Sequence, residues 1–361
     1  MEEKKYEIID PDESRYKLTA EDLRKETKKK KKHTGLKVLI ALLLIFALLA
    51  GGAAVFVNSY LSKINYGEVA SEIDPNLDKE EAMEFEGQKD ADDDIRKNLS
   101  DSVMWYDDRI YNVLLIGYDL GDMADKYFPR SDSIILLSIN SITNTINMVS
   151  FSRASYVAIE GHGNKRINTA HAYGGPKLLV STIEKNYKIR IDKYICVDIA
   201  GFADIVDILG GVDIKMTEKE AKAILQKSAG TYHLNGGQAV SYSRLRWIDS
   251  DRNRTGRQRA VLNAIAEKFR RSSVSTMVGL MDEVLPLVTT DFSKTELLSQ
   301  ATNAPKYLTM NINEDIIPHN AHSLSVRDGL EVIILNWAHE TAYVHDLLYP
   351  DMVPQSAEGN K

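Results

Sequence analysis

The sequence predicts an α/β protein: a three-layer α/β/α sandwich over residues 106–352, preceded by a single N-terminal transmembrane helix. Three observations predict it. From Tyr106 onward, short apolar runs of strand character alternate with helical stretches. The uncharged run Val38 to Val57 holds 20 residues, enough as a helix to cross a bilayer core of ~30 Å. Charge is also partitioned around that run: net +3 over residues 1–37, −9 over 58–110 and −1 over 111–361. With 43% hydrophobic and 27% charged residues, the chain has the means to bury a sizeable core. A net charge of −7 disfavours a nucleic-acid binder. The one cysteine, Cys196, excludes an internal disulfide and any zinc site of several thiolates.

Taken in order, residues 1–37 read as a cytoplasmic basic tail. Lys28 to Lys32 form an unbroken pentalysine beside the apolar run, so the positive-inside rule keeps this end in the cytoplasm and places residues 58–361 outside. The same lysines suit anionic membrane lipid. A cleaved signal peptide competes with an anchor over 38–57, but 37 residues is long for a signal n-region. Residues 58–105 read as an acidic extracellular stalk, a solvated spacer with Pro75 and Gly87 and no sustained apolar period.

Strands are then expected at 111–116, 133–139 and 146–151, with Ser141 to Thr145 turning between the last two. A helix over 168–186 should break near Gly174-Gly175-Pro176. A buried strand at 194–199 leads to a helix stopped by Gly210-Gly211, and a short strand returns at 212–216. Helices are predicted near 217–226, 235–243, 255–271, 274–288, 294–303 and 326–346, with a short tail over 353–361.

The chemical signal is arginine. Ser241 to Ala260 holds Arg244, Arg246, Arg252, Arg254, Arg257 and Arg259 and no lysine. Arginine's planar fork binds phosphate oxygens in pairs, whereas lysine offers a point charge. On spacing alone the run fits either phosphate recognition or a solvated basic face. Arg244 and Arg246 share a side only in extended chain, so the helix before them should end near Tyr242. Arg254 and Gln258 share one helix face. A second cluster gathers at strand ends: Asp119, Arg130, Asp132, Arg153 and Arg166. Its two carboxylates suit either a hard cation shared with phosphate, such as Mg²⁺, or plain pairing with the arginines. The eight histidines show no HExxH, the serines no GxSxG elbow, and the glycine pairs read as turns.

Seven blocks, NVLLIGYD, RSDSIILLSI, MVSFSRASYV, RINTAHAYGG, DILGGVDI, LNGGQAVSYSRLR and DRNRTGRQR, stand in the order and approximate spacing of the LytR-CpsA-Psr family. By this resemblance, strong over about 110–272, residues 106–352 are identified as the family's catalytic domain. Members move teichoic acid, capsule or related glycan from a polyprenyl-pyrophosphate carrier to peptidoglycan in Gram-positive envelopes. The resemblance therefore implies a membrane-anchored, Mg²⁺-assisted phosphotransferase, with Mn²⁺ as a substitute ion. Its partners would be the lipid-linked glycan, peptidoglycan and membrane lipid, with no nucleic acid.

Carried over, Asp119 and Asp132 match the metal carboxylates, and Arg153, Arg244, Arg246, Arg254 and Gln258 the phosphate contacts. Arg130 and Arg257 also fall in family motifs, and Arg166 stands where many members have lysine. Arg153, Arg244, Arg246 and Asp132 are the expected catalytic set. A prenyl pocket is expected around Ile134 to Leu137 and the helices near 202–209 and 261–290. One departure matters most: where the family has Pro-Arg-Asp, this chain has Ser152-Arg153-Ala154. Without that acid, Arg153 should be less constrained and turnover slower. A polyprenyl-pyrophosphate phosphatase, or a weakened protein that binds or senses the lipid-linked precursor, are the alternative functions.

Overall fold

The computed structural model describes residues 73–352 except 82–83, 101–102, 121–126, 250, 272–282, several positions between 294 and 309, 327–329 and 351. The basic tail, the apolar run 38–57 and the 353–361 tail lie outside the described residues. Among those described, no helix is long and apolar enough to cross a membrane.

A six-stranded mixed sheet forms the middle layer. Its strands are β1 (Ile110–Tyr118), β2 (Ser131–Asn140), β3 (Thr145–Phe151), β6 (Lys193–Asp198), β9 (Val288–Thr290) and β10 (Asn311–Ile317), in the spatial order β10-β3-β2-β1-β6-β9. The central strands read as continuous apolar runs because both faces are covered. Along β2, Ile135, Leu137 and Ile139 enter one core while Ile134 and Leu136 enter the other. The first face is covered by α4 (Ile199–Ile208), α5 (Glu218–Leu225), α6 (Gly236–Ser243) and α7 (Asp251–Arg271), with the hairpin β7 (Val212–Met216) and β8 (Gly230–Leu234). The opposite face packs α2 (Gln88–Ser100), α3 (Thr169–Tyr187) and α8 (Trp337–Leu348). The predicted three layers are present.

Strand direction decides where ligands can gather. β1 runs parallel to β6 and antiparallel to β2, which is antiparallel to β3; β3 is parallel to β10. The C-terminal ends of β1, β3, β6 and β10 therefore share one sheet edge with the start of β2. Asp119, Asp132 and Arg153 fall there. A local irregularity refines this placement: Gly117 pairs with Ser133 but Tyr118 pairs with Ser131, leaving Asp132 as an extra residue. Such a bulge re-aims the side chain it carries.

The predicted break in α3 is a kink. Gly174 and Gly175 leave helical geometry, and Gly175 has φ +62°, where a Cβ would also stand 2.8 Å from the Phe128 ring. Gly210 and Gly211, both at positive φ, follow α4 as expected.

Three expectations are corrected. The acidic stalk does not extend to 105: Leu77 of the short helix α1 (Leu77–Glu80) and Ala91 and Ile95 of α2 are buried in the second core. Sparse apolar residues among many acids suffice to fix that segment, because the domain supplies the rest of the core. The helix expected over 326–346 is a hairpin, β11 (Ala321–Ser325) with β12 (Glu331–Leu335), followed by α8. Val332, Ile334 and Leu335 are β-branched or apolar and buried, and Asn336 caps α8 by accepting from the His339 N–H at 3.2 Å. The helix expected to reach 288 ends earlier, in a 3₁₀ turn at Leu285–Leu287 containing Pro286, and β9 begins at Val288. Most of 274–282 and 294–303 lies outside the described residues. The hairpin β4 (Tyr156–Ile159) with β5 (Gly163–Arg166) was not predicted.

Candidate active site

Two cavities meet at the sheet edge. One is apolar and runs between the sheet and its first helical layer, lined by Leu115, Ile135, Ile195, Val197, Phe202, Ile205, Leu262, Ile265, Val284 and Val288. Its lining is predominantly apolar with a few polar groups at the mouth, the character of a small-molecule site. The other is a polar cleft lined by Asp119, Arg130, Asp132, Arg153, Arg166, Asn168, Arg244 and Arg246, with Asp74 and Leu77 at its side. Asp132 and Arg244 line both cavities. The seam between greasy and charged space thus falls on an acid and a guanidinium.

Local structure explains how these side chains arrive. Helix α6 starts with a capping box in which Asn235 accepts from the Gln238 N–H and the Gln238 side chain returns the bond to the Asn235 N–H. It ends at Ser243, one residue beyond the expected stop, and Arg244 occupies its C-cap. Leu245 is fully buried, so Arg244 and Arg246 on either side of it both reach the cleft. Asp119, just past β1, accepts from Arg244 Nη1 at 2.8 Å. Asp132 Oδ1 accepts from Arg153 Nη1 at 2.9 Å and from Arg246 Nη2 at 3.5 Å. The Gln258 side chain, on α7, donates to the Asp132 carbonyl at 3.4 Å and borders the apolar cavity.

Arg130 and Arg166 line the cleft from its far wall and share a buried partner. Glu81, 1% exposed, accepts from Arg166 Nε at 3.1 Å and Nη2 at 2.5 Å, and from Arg130 Nε at 2.9 Å; Arg130 also reaches Glu80 at 2.7 Å. Burial alone would lower the Arg130 pKa, but its bonds to Glu80 and Glu81 prevail and raise it. The sequence offered no pointer to Glu81, because its partners lie 49 and 85 positions away.

Three expected phosphate ligands are not in the cleft: Gln258 borders only the apolar cavity, and two arginines turn into the fold. Arg257 is 3% exposed and binds Asp249 at 2.7 Å, Glu220 at 3.3 Å and the Leu245 carbonyl at 2.6 Å. It ties α7 to α5 and to the loop after α6, and its hydrogen bond to Asp249 holds that carboxyl below the usual range. Arg254 is 2% exposed and lines neither cavity described. On helix α7 the i, i+4 spacing put Arg254 and Gln258 on one face, but that face turns into the fold at Arg254. Arg259 bonds Ser150 at 2.7 Å and Glu314 at 2.9 Å, fastening α7 to β3 and β10.

The Ala154 departure has a structural context. Arg153 is held by Asp132, not by a neighbour in sequence. Ala154 itself is 4% exposed, and its carbonyl accepts from the Ile333 N–H at 2.9 Å, so β12 lies across it. Beneath the cleft, His171 Nδ1 donates to the Pro129 carbonyl at 2.7 Å and the ring stacks on Tyr118. Burial drives its pKa down to about 4. Cys196 is a core residue whose thiol is pushed up by burial.

Among the described residues no group of three or more His, Cys, Asp or Glu could hold a metal unaided. Asp119 and Asp132 nevertheless offer two carboxylates to one cleft. Mg²⁺ is commonly held by one or two carboxylates and completed by substrate phosphates, so this donor set fits a hard divalent cation bound together with a phosphate ligand.

A family model described as LytR_cpsA_psr matches residues 64–341. The chain belongs to the LytR-CpsA-Psr family. Its span starts well before Tyr106, in line with the packing of α1 and α2. The Bacillus cereus protein named polyisoprenyl-teichoic acid–peptidoglycan teichoic acid transferase TagU is 35% identical over 226 residues, covering 61% of this chain and 71% of that one. The Bacillus subtilis TagU is 32% identical over 266 residues, covering 73% and 79%. Among solved structures, TagT bound to LI-WTA superposes with a TM-score of 0.55 at 28% identity, covering 68% of this chain and 93% of TagT. B. subtilis TagV does so with a TM-score of 0.54 at 26% identity, covering 69% and 100%.

Proposed function

We propose that this LytR-CpsA-Psr protein is a membrane-anchored transferase that moves a glycopolymer from a polyprenyl-pyrophosphate carrier to peptidoglycan. The observation that carries the reading is the shared wall: an apolar cavity and an arginine-lined cleft meet at Asp132 and Arg244. A ligand that is lipid at one end and pyrophosphate in the middle fits that seam. The names of TagU and TagT, both polyisoprenyl-teichoic acid–peptidoglycan teichoic acid transferases, support the same substrate class. Val38 to Val57 would anchor the chain with its N-terminus in the cytoplasm and its catalytic domain outside.

In this reading the prenyl chain lies along Phe202, Ile205, Leu262 and Ile265, and the pyrophosphate sits over Asp132 and Arg244. Arg153, Arg244 and Arg246 exchange their carboxylate partners for phosphate oxygens. Asp119 and Asp132 would hold Mg²⁺, or Mn²⁺ in its place, which when bound would neutralise phosphate charge and act as a Lewis acid. A peptidoglycan hydroxyl attacks the phosphorus next to the glycan. The new P–O bond forms as the bond to the bridging oxygen breaks, prenyl phosphate leaves, and the hydroxyl proton passes to solvent. Arginines aimed at the leaving phosphate supply preorganised stabilisation, and positioning outweighs deprotonation when the transition state is loose.

The test is turnover of a polyprenyl-pyrophosphate-linked glycan across a Mg²⁺ series, with and without peptidoglycan fragments. Wild type should join polymer to the fragments. Arg244→Ala should weaken both binding and turnover, and Asp132→Asn should lower turnover by about 10² to 10³ while lipid still binds. Equal release to water with and without acceptor would replace the transferase by a phosphatase. Tight lipid binding without turnover at any Mg²⁺ concentration would replace it by a binding or sensing protein.

A further inference from the structure

We propose that the rim of the cleft docks on an anionic bilayer surface, with Trp247 seated in the headgroup layer. The inference rests on the reading of Val38 to Val57 as a membrane anchor and adds a contact that the anchor alone does not require. Two independent observations carry it.

The first is Trp247 itself. Its side chain is 76% exposed, whereas no other large apolar side chain among the described residues exceeds 45%. It follows Arg246 and stands three residues from Arg244, whose side chains are about half exposed. Tryptophan with arginine is the pairing that favours a membrane interface, the ring entering the headgroup layer and the cations meeting anionic lipid. The cations' own carboxylate partners, Asp119 for Arg244 and Asp132 for Arg246, hold them in pairs partly open to water, which an anionic headgroup can displace cheaply.

The second is where the chain comes in. Asp74 and Leu77 line the cleft, and the Glu81 ion pairs clamp this segment to the cleft wall. The apolar run ends at Val57, so residues 58–73 alone separate it from Asp74 at the cleft. At ~3.3–3.6 Å per residue they reach at most about 58 Å. The anchored chain therefore enters the domain beside its cleft. Arg244 borders the apolar cavity as well, so a rim seated on the bilayer lets a prenyl chain enter that cavity without crossing water.

A sugar chain stacked on Trp247 is the competing occupant, and the experiment separates the two. The full chain is placed in phosphatidylcholine–phosphatidylglycerol nanodiscs with and without acyl-brominated lipid, and tryptophan emission is compared for wild type and Trp247→Ser. The other tryptophans, half-buried Trp105 and buried Trp337, pack on rings of the domain and are unchanged by the substitution, so they report the same background in both. Wild type should lose one tryptophan's share of emission to bromine, and Trp247→Ser should not. Wild type should also lose that quenching at high salt. With full-length carrier in the discs, Trp247→Ser should raise KM several-fold at unchanged kcat, while a short, water-soluble carrier should be used equally well by both proteins.

Equal bromine quenching in the two proteins overturns the docking, as does a Trp247 signal that responds to peptidoglycan fragments and not to lipid. Failure of both proteins on either carrier counts against the transferase reading alone, since quenching still decides the docking.

Discussion

Glu81→Ala should destabilise the domain by about 3–4 kcal/mol, far more than loss of a surface charge. The magnitude follows from how its two partners are placed. Arg166 is nearly buried and donates two charge-assisted bonds to the one carboxylate, at 2.5 and 3.1 Å. Arg130 is a third exposed and keeps Glu80 at 2.7 Å when Glu81 is gone. Truncating Glu81 thus strands one buried guanidinium, and breaking a buried pair from one side costs about 3–5 kcal/mol. For a domain of this size each kcal/mol moves Tm by about 2–4 °C, so thermal melting of Glu81→Ala should fall by roughly 6–16 °C. Glu81→Gln, which keeps the shape and some bonds, should lose less. Adding Arg166→Leu to Glu81→Ala should recover part of the loss, the signature of a coupled pair. A melt within about 0.5 kcal/mol of wild type for Glu81→Ala would mean that the pair is solvated and worth only what surface pairs are worth, and the clamp would fall with it.

Ala154→Asp should not raise kcat, contrary to what the family pattern alone suggests, because Arg153 already has Asp132 as its partner at 2.9 Å; it should instead cost about 2–4 kcal/mol by placing a carboxylate under β12. Denaturant midpoints and turnover of the same variant check both halves, and a faster enzyme would refute the reasoning. Acid should destabilise the fold through His171. Its folded pKa, about 4, lies below the ordinary imidazole value of about 6.5, so between these values the unfolded chain binds the extra proton and stability falls as pH falls. The span corresponds to about 3 kcal/mol; wild type should lose that much more between pH 7 and pH 4 than His171→Gln, measured by urea midpoints, and parallel losses would refute it.

What could be read from the sequence was whatever leaves a local pattern. The sheet strands show as apolar runs, the α3 kink as Gly174-Gly175-Pro176, and the approach of Arg244 and Arg246 as two arginines astride Leu245. What could not be read depends on distant partners. Glu81 sits in a segment whose composition is that of a solvated spacer, and only the cleft wall makes it a buried ion-pair partner. Arg254 and Arg257 belong to the same arginine run as Arg244 and Arg246, yet packing of α7 against α6 and β7 takes them inside. Residues 331–335 carry the apolar spacing of a helix start, and pairing with 321–325 makes them a strand.

The same division by burial sorts the arginines of the cleft by what they can do. All five have carboxylate partners, so an incoming pyrophosphate must compete with Asp119, Asp132 or Glu81 for them. Pairs that are partly open to water, Arg244 with Asp119 and Arg153 and Arg246 with Asp132, are worth about 0–1 kcal/mol and can be exchanged cheaply. The buried Arg166–Glu81 pair is several times costlier to open, and Arg130 shares its carboxylate. Arg153, Arg244 and Arg246 are therefore the three that can turn to phosphate, while Arg130 and Arg166 stay in the wall and lend it shape and field. The carboxylates given up in that exchange, Asp119 and Asp132, are the pair proposed to hold the divalent cation. Pyrophosphate and cation should accordingly bind each other's vacated partners, each more tightly in the presence of the other.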